Sequence, residues 1–155
     1  MNELNILLAE DNPDDVFLLQ EAFRKAGVRH QLAVVENGVE AVDYLKGERP
    51  YSDRAEHPFP DLMLLDLNMP RMNGFEVLEW VRHGGQCREL MVYVLTASSR
   101  DLDVQRAYEL GANSYLVKPS RMDELNAFAA ALNQWHGFIR LPRRPETQKR
   151  APQTA

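Results

Sequence analysis

Five short apolar runs constrain this chain more than any other feature: "NILLA" (5–9), "QLAVV" (31–35), "DLMLL" (61–65), "LMVYVL" (90–95) and "SYLV" (114–117). None alternates polar with apolar residues. Unbroken runs of this length suit strands buried on both faces, as in a parallel sheet. The segments between them have helical spacing. Leu18, Leu19, Ala22, Phe23 and Ala26 form one stripe in 14–26, and Val39, Ala41, Val42 and Leu45 another in 38–46. Phe75, Val77, Leu78 and Val81 mark 75–82; Leu102, Val104, Ala107 and Leu110 mark 102–110. Met122, Leu125, Phe128, Ala129 and Leu132 mark 121–135. Such stripes read as amphipathic helices. Five strand–helix units in alternation predict an α/β fold, a parallel sheet with helices on both faces.

Punctuation supports these boundaries. Pro13 sits where a first-turn proline is tolerated. Ser120 and Asp123 read as an N-terminal capping pair, and Gly111 and Gly84-Gly85 as helix stops. Residues 47–60, "GERPYSDRAEHPFP", hold three prolines and read as an extended loop before the third strand. One domain spans residues 1–139. Residues 140–155 form a basic, Pro-rich segment, read as a disordered tail or an arm that packs on a partner chain, with no output domain expected.

Charge narrows the function classes. The net charge of -5 divides unevenly: residues 140–155 carry five Lys/Arg against one Glu, or +4, leaving 13 against 22, or -9, for the body. An acidic body argues against direct nucleic-acid binding. The N-terminus does not read as a signal peptide. No apolar stretch approaches the ~20 residues needed to span a bilayer. The single cysteine, Cys87, excludes an internal disulfide and reads as packing. A cytoplasmic protein is expected, without membrane attachment.

Polar residues follow four of the five strands. The first ends in Glu10-Asp11, the third in Asp66, the fourth in Thr96-Ala97-Ser98, the fifth in Lys118-Pro119. In an open parallel sheet these ends share one edge, where ligands bind near the reversal of strand order. Three carboxylates brought together repel, and a hard divalent cation such as Mg²⁺ relieves the repulsion. A carboxylate beside Mg²⁺ and an ammonium can act as nucleophile toward a phosphoryl group. Asp66 is then the candidate reacting group. Asp14, Asp15, Asp101 and Asp103 have a simpler reading, as acids complementing helix dipoles. His30, His57, His83 and His136 show no ligand spacing and read as surface residues.

The motifs "LLAEDN", "LLDLNMPRMNGFEVL", "VLTAS" and "ANSYLVKPS", in this order, resemble the receiver domain of two-component response regulators. The resemblance covers residue 4 to about 136 and is to the single-domain, chemotaxis-regulator-like type. It implies a flavodoxin-like (βα)5 fold with strand order 2-1-3-4-5, Mg²⁺, and phosphotransfer from a sensor histidine kinase. It implies Asp66 as phosphoacceptor, with Glu10, Asp11, Asp66 and the Asn68 carbonyl as metal ligands. It further implies Thr96, the Ala97 N–H and Lys118 on the phosphoryl group, Tyr115 as the switch aromatic partnering Thr96, and a cis Lys118–Pro119 bond. Phe17 lies on the helix where the kinase docks in this family. The longer Glu10 stands where many receivers carry Asp.

A narrower resemblance rests on "EDNPDD", on "YLKGERPYSDRAEHPFPDLMLLDLNMP", and on Trp135, Leu141 and Pro142. These are similar to regulators paired with bacterial phytochrome kinases, a subgroup that tends to form homodimers. A hydrolase of the aspartyl-phosphate type needs an acid two residues after the nucleophile. Asn68 stands there, so a signalling protein is expected rather than an enzyme.

Overall fold

In a computed structural model, described over residues 3–142, the chain forms one five-stranded parallel sheet. The elements are β1 (Asn5–Ala9), α1 (Pro13–Lys25), β2 (Gln31–Val35), α2 (Gly38–Lys46) and β3 (Leu62–Leu65). There follow α3 (Gly74–His83), a short 3₁₀ turn (Gly85–Cys87), β4 (Met91–Thr96), α4 (Asp101–Glu109), β5 (Ser114–Val117) and α5 (Met122–His136). The strand order is β2-β1-β3-β4-β5, the flavodoxin-like order. β1 and β3 are central, with Ala9 opposite Leu65, and Leu65 opposite Val94.

The pleat sorts each strand's apolar residues onto two cores. Ile6, Leu8, Leu62, Leu64, Tyr93 and Leu95 pack with Leu19 and Phe23 of α1 and Leu125 and Leu132 of α5. Leu7, Ala9, Met63, Leu65, Val92 and Val94 pack with α2, α3 and Ala107 of α4. Every residue of β3 is buried, which explains its lack of alternation. Among the described residues no helix is long and apolar enough to cross a membrane.

Asparagine caps fix three helix starts. Asn12 accepts from the Asp14 and Asp15 N–H groups, Asn37 from Glu40, and Asn73 forms a reciprocal capping box with Glu76. Gly74 has a second role. A Cβ there would lie 2.3 Å from the Asp66 carbonyl oxygen, so only glycine lets α3 start against the end of β3.

Several expectations are corrected. Ser120 and Asp123 do not cap α5. Its N-cap is Arg121, without a side-chain cap, and the Arg121 guanidinium engages both Asp123 carboxylate oxygens at 2.8 and 3.1 Å. A forked charged donor outcompetes the backbone N–H for that carboxylate. The cis X-Pro bond among the described residues is Arg49–Pro50; Lys118–Pro119 is not cis. The two isomers of an X-Pro bond differ by only about 0.5–1 kcal/mol, so local packing decides. Segment 47–60 is a loop without helix or strand, and it is held down. Arg54 draws it onto the end of α2, donating to the carbonyls of Tyr44, Leu45 and His57, with Tyr44, Tyr51 and His57 packed around it. Of the tail, residues 143–155 lie outside the described residues, and the arm expected there with them.

Candidate functional site

The ladder carries the polar residues to one edge. The Glu10 N–H bonds to the Val35 carbonyl, Asp66 N–H to Ala9, and Lys118 N–H to Thr96, at 3.0, 3.0 and 2.7 Å. These bonds extend the pairing β2-β1-β3 and β4-β5 past the strand ends, and so fix Glu10, Asp66, Thr96 and Lys118 relative to one another. Glu10, Asp66 and Thr96 are buried polar residues, 3%, 5% and 0% exposed.

Carboxylate oxygens of Glu10, Asp11 and Asp66 lie within 4.8 Å of one another, the first and last buried and Asp11 exposed. All three offer hard oxygen donors, the ligand type that Mg²⁺ and Mn²⁺ select. Asn68 is exposed beside them, with its N–H 3.5 Å from Asp66 Oδ1.

The Lys118 Nζ reaches into the cluster, donating to Glu10 Oε2 at 2.5 Å, Asp15 Oδ2 at 2.9 Å and Asp66 Oδ2 at 3.4 Å. Burial raises the Glu10 carboxyl to about 7, against the lowering by its hydrogen bond to Lys118 and with the nearby Asp66 charge adding to the rise. Burial by itself would lower the Lys118 ammonium. Hydrogen bonds to Glu10 and Asp15 and the Asp66 charge outweigh it and hold the ammonium above its ordinary value.

Thr96 Oγ1 is buried without a hydrogen-bond partner. Buried hydroxyls are normally satisfied, so this one is unspent donor capacity at the end of β4. Ala97 follows it, exposed. Tyr115 donates its hydroxyl to the Ser98 carbonyl at 2.9 Å, and Ser98 Oγ donates to Asp103 Oδ2 at 2.5 Å. The β4–α4 loop is thus tied to both β5 and α4.

The structure therefore brings together Glu10, Asp11, Asp66 and Lys118, and places Thr96, Ala97, Asn68 and Tyr115 around them. Two arrangements escaped the sequence reading. Asp15, read there as a dipole acid, is a partner of Lys118. The histidines do not all lie at the surface: only His83 is exposed. His30 accepts the Leu4 N–H, and His136 lies near it under the opposite edge of the sheet, both held below the usual imidazole range first by burial. Phe17 is exposed on α1 and Trp135 on α5, at 59% and 57%. Cys87 is buried, as expected for packing.

Residues 6–130 match the family model described as the response regulator receiver domain. The chain is 34% identical over 138 residues to the probable methanogenesis regulatory protein FilR2 of Methanothrix harundinacea, covering 88% of this chain and 86% of that one. It is 33% identical over 138 residues to the response regulator Rcp1 of Synechocystis sp., covering 88% and 92%. The Mn²⁺-bound form of Rcp1 superposes with a TM-score of 0.80, over 90% of this chain and 99% of that one. The phosphorylated cyanobacterial phytochrome response regulator RcpA superposes with a TM-score of 0.83 at 33% identity, over 92% and 100%.

Proposed function

This chain belongs to the response regulator receiver family, and we propose that it accepts a phosphoryl group on Asp66 from a sensor histidine kinase, with Mg²⁺, and signals through a changed binding surface. The observation that carries this reading is the convergence of Glu10, Asp11 and Asp66 on one point with the Lys118 ammonium beside them. Their all-oxygen donor set fits Mg²⁺, with Glu10, Asp11, Asp66 and the Asn68 carbonyl as holders. The bound ion would offset charge on the transferring phosphoryl oxygens.

The protein's own residues do the rest. An Asp66 carboxylate oxygen attacks the phosphorus of the donor. The phosphorus–nitrogen bond of a phosphohistidine breaks, its electron pair goes to the imidazole, and an acyl phosphate forms on Asp66. Lys118 offsets the added charge. The unpartnered Thr96 hydroxyl and the Ala97 N–H donate to phosphoryl oxygens. Movement of Thr96 toward the phosphoryl group is read out by Tyr115, whose hydroxyl already holds the loop at Ser98. Asn68 offers no acid for turnover of external substrates, which supports a signalling role over an enzymatic one.

The relatives point the partner assignment in different directions. The likeness to the phytochrome response regulator RcpA, with the Pro-rich segment packed by Arg54, supports a phytochrome-type kinase. The equal likeness to FilR2 supports a kinase of another sensory input. We favour the phytochrome reading on the segment between α2 and β3. A homodimer through α5 is supported by the exposed Trp135 and Phe138 and by a groove of ≈ 620 Å³ between β5 and α5.

The primary test is intact mass after incubation with a small acyl phosphate and Mg²⁺. Wild type gains one phosphoryl group, and Asp66→Asn gains none. An Asp66→Asn protein that gains one at the wild-type rate overturns the assignment. A phosphotransfer panel of histidine kinases identifies the partner, and light scattering at high concentration, with and without phosphorylation, tests the dimer.

A further inference from the structure

Lys118 does not face Asp66 alone. Its three ammonium protons are shared among Glu10 at 2.5 Å, Asp15 at 2.9 Å and Asp66 at 3.4 Å, so the acceptor nearest the chemistry holds the longest bond. The three acceptors differ in what can replace the ammonium. Glu10 and Asp66 are buried, with side chains 3% and 7% exposed, and lose little to water. The Asp15 side chain is 37% exposed, so water can take over its bond. Asp15 is also fixed in place. It stands in the first turn of α1, and its N–H and that of Asp14 are held by the Asn12 cap.

We propose that Asp15 is a positioning residue that holds the Lys118 ammonium off Asp66 in the unphosphorylated protein and releases it when Asp66 carries a phosphoryl group. This rests on the reading of Asp66 as phosphoacceptor. A phosphoryl group brings about -1.5 to -2 charges where the carboxylate brought one, so it wins the ammonium from a half-solvated aspartate. Until then, Asp15 acts as a brake on phosphorylation. Asp15 is therefore part of the switch and does more than complement the dipole of α1.

The test is the rate of Asp66 phosphorylation by a small acyl phosphate at saturating Mg²⁺ in four proteins. Asp15→Asn removes the competing acceptor. A half-exposed ion pair contributes at most about 1 kcal/mol, so the rate rises about threefold to fivefold. Asp14→Asn removes the same charge one residue away, without touching Lys118, and leaves the rate near wild type. Asp15→Glu keeps a carboxylate within reach of Lys118 and returns the rate toward wild type, which a merely structural loss would not do. An Asp15→Asn rate equal to that of Asp14→Asn, or slower than wild type, overturns the proposal. Wild type that gains no Asp66-dependent phosphoryl group, checked with Asp66→Asn, overturns the phosphoacceptor reading and this inference with it.

Discussion

Replacing Glu10 by Gln should change how the metal-free protein responds to pH. Glu10 is buried beside Asp66, and its carboxyl is raised from 4.5 to about 7, first by burial. Its folded value lies above its unfolded one. Glu10 therefore contributes stability while protonated, and that contribution is lost as pH rises between about 4.5 and 7. Moving from pH 5 to pH 8 then costs the wild type about 2 to 3 kcal/mol at this position, because each tenfold change in proton affinity is worth about 1.4 kcal/mol. The amide of Glu10→Gln does not titrate, keeps an acceptor for the Asn12 N–H, and lacks the charge that holds Lys118. Urea unfolding of both proteins in EDTA at the two pH values reads Glu10 together with the Asp66 and Lys118 groups coupled to it, since groups that do not interact with Glu10 cancel in the double difference. The stability gap between variant and wild type should shift toward the variant by about 2 to 3 kcal/mol at pH 8, or about 5–10 °C in Tm for a domain this size. Because the Asp66 charge contributes to the rise, Asp66→Asn should shrink the effect. A gap that is the same at both pH values would falsify the reasoning, since Glu10 would then ionise alike in the folded and unfolded chains.

Other expectations follow from single contacts. Thr96→Val removes a buried hydroxyl without a partner, so urea unfolding should show unchanged or higher stability, by up to about 1 kcal/mol, while phosphorylation no longer alters the protein's near-ultraviolet dichroism. Gly74→Ala sets a Cβ against the Asp66 carbonyl, and urea titration should show a loss of about 2 kcal/mol or more together with slower phosphorylation. Arg54→Ala removes the donor from three carbonyls, Tyr44 and Leu45 at the end of α2 and His57 in the loop that follows, and should cost about 2 kcal/mol, with faster amide exchange confined to residues 44–59. His30 and His136 are held below their ordinary value, so the unfolded chain binds more protons near pH 6.5 and their contribution falls as pH drops through that range. His136→Gln should flatten that acid-side decline in a pH series of thermal unfolding.

The fold was legible because burial on both faces writes itself into the composition of β1, β3 and β4, whereas β2 and β5, expected to be buried likewise, are edge strands and only partly buried. β3 reads as an unbroken apolar run since each of its residues meets helices, and the period-two split between the two cores needs no alternation to show. The site was legible for a related reason. Glu10, Asp66 and Thr96 are polar residues that end buried runs, Lys118 follows the partly buried edge strand β5, all at the same end of their strands, and topology alone makes those ends neighbours. What could not be read depends on side chains meeting without a shared pattern. Asp15 fits a first-turn acid whether or not Lys118 reaches it. Asp123 looks like a cap until Arg121 takes its carboxylate. His30 and His136 come near each other only because the start of β2 and the end of α5 lie at the sheet edge opposite the site.

These illegible contacts have a common physical character. The site gathers acids around one ammonium, a placement that burial opposes, as the raised Glu10 carboxyl records. Such a site is poorly satisfied on its own terms. Thr96 has a hydroxyl to spare, and Lys118 is divided among three acceptors, one of them half in water. A phosphoryl group on Asp66, with its metal, would satisfy the hydroxyl and draw the ammonium inward, and the local frustration would give that modification its energetic leverage. The Tyr115–Ser98–Asp103 chain then matters as the mechanical link. It fixes the loop after Thr96 to β5 and α4, so a threonine that moves must either carry those elements or break a bond to them. Replacing Ser98 by Ala should loosen that link while leaving the acid cluster intact. Phosphorylation rate would stay near wild type, and the response of α4 amide exchange to phosphorylation would fall. An undiminished α4 response in Ser98→Ala would mean the signal leaves the site by another route.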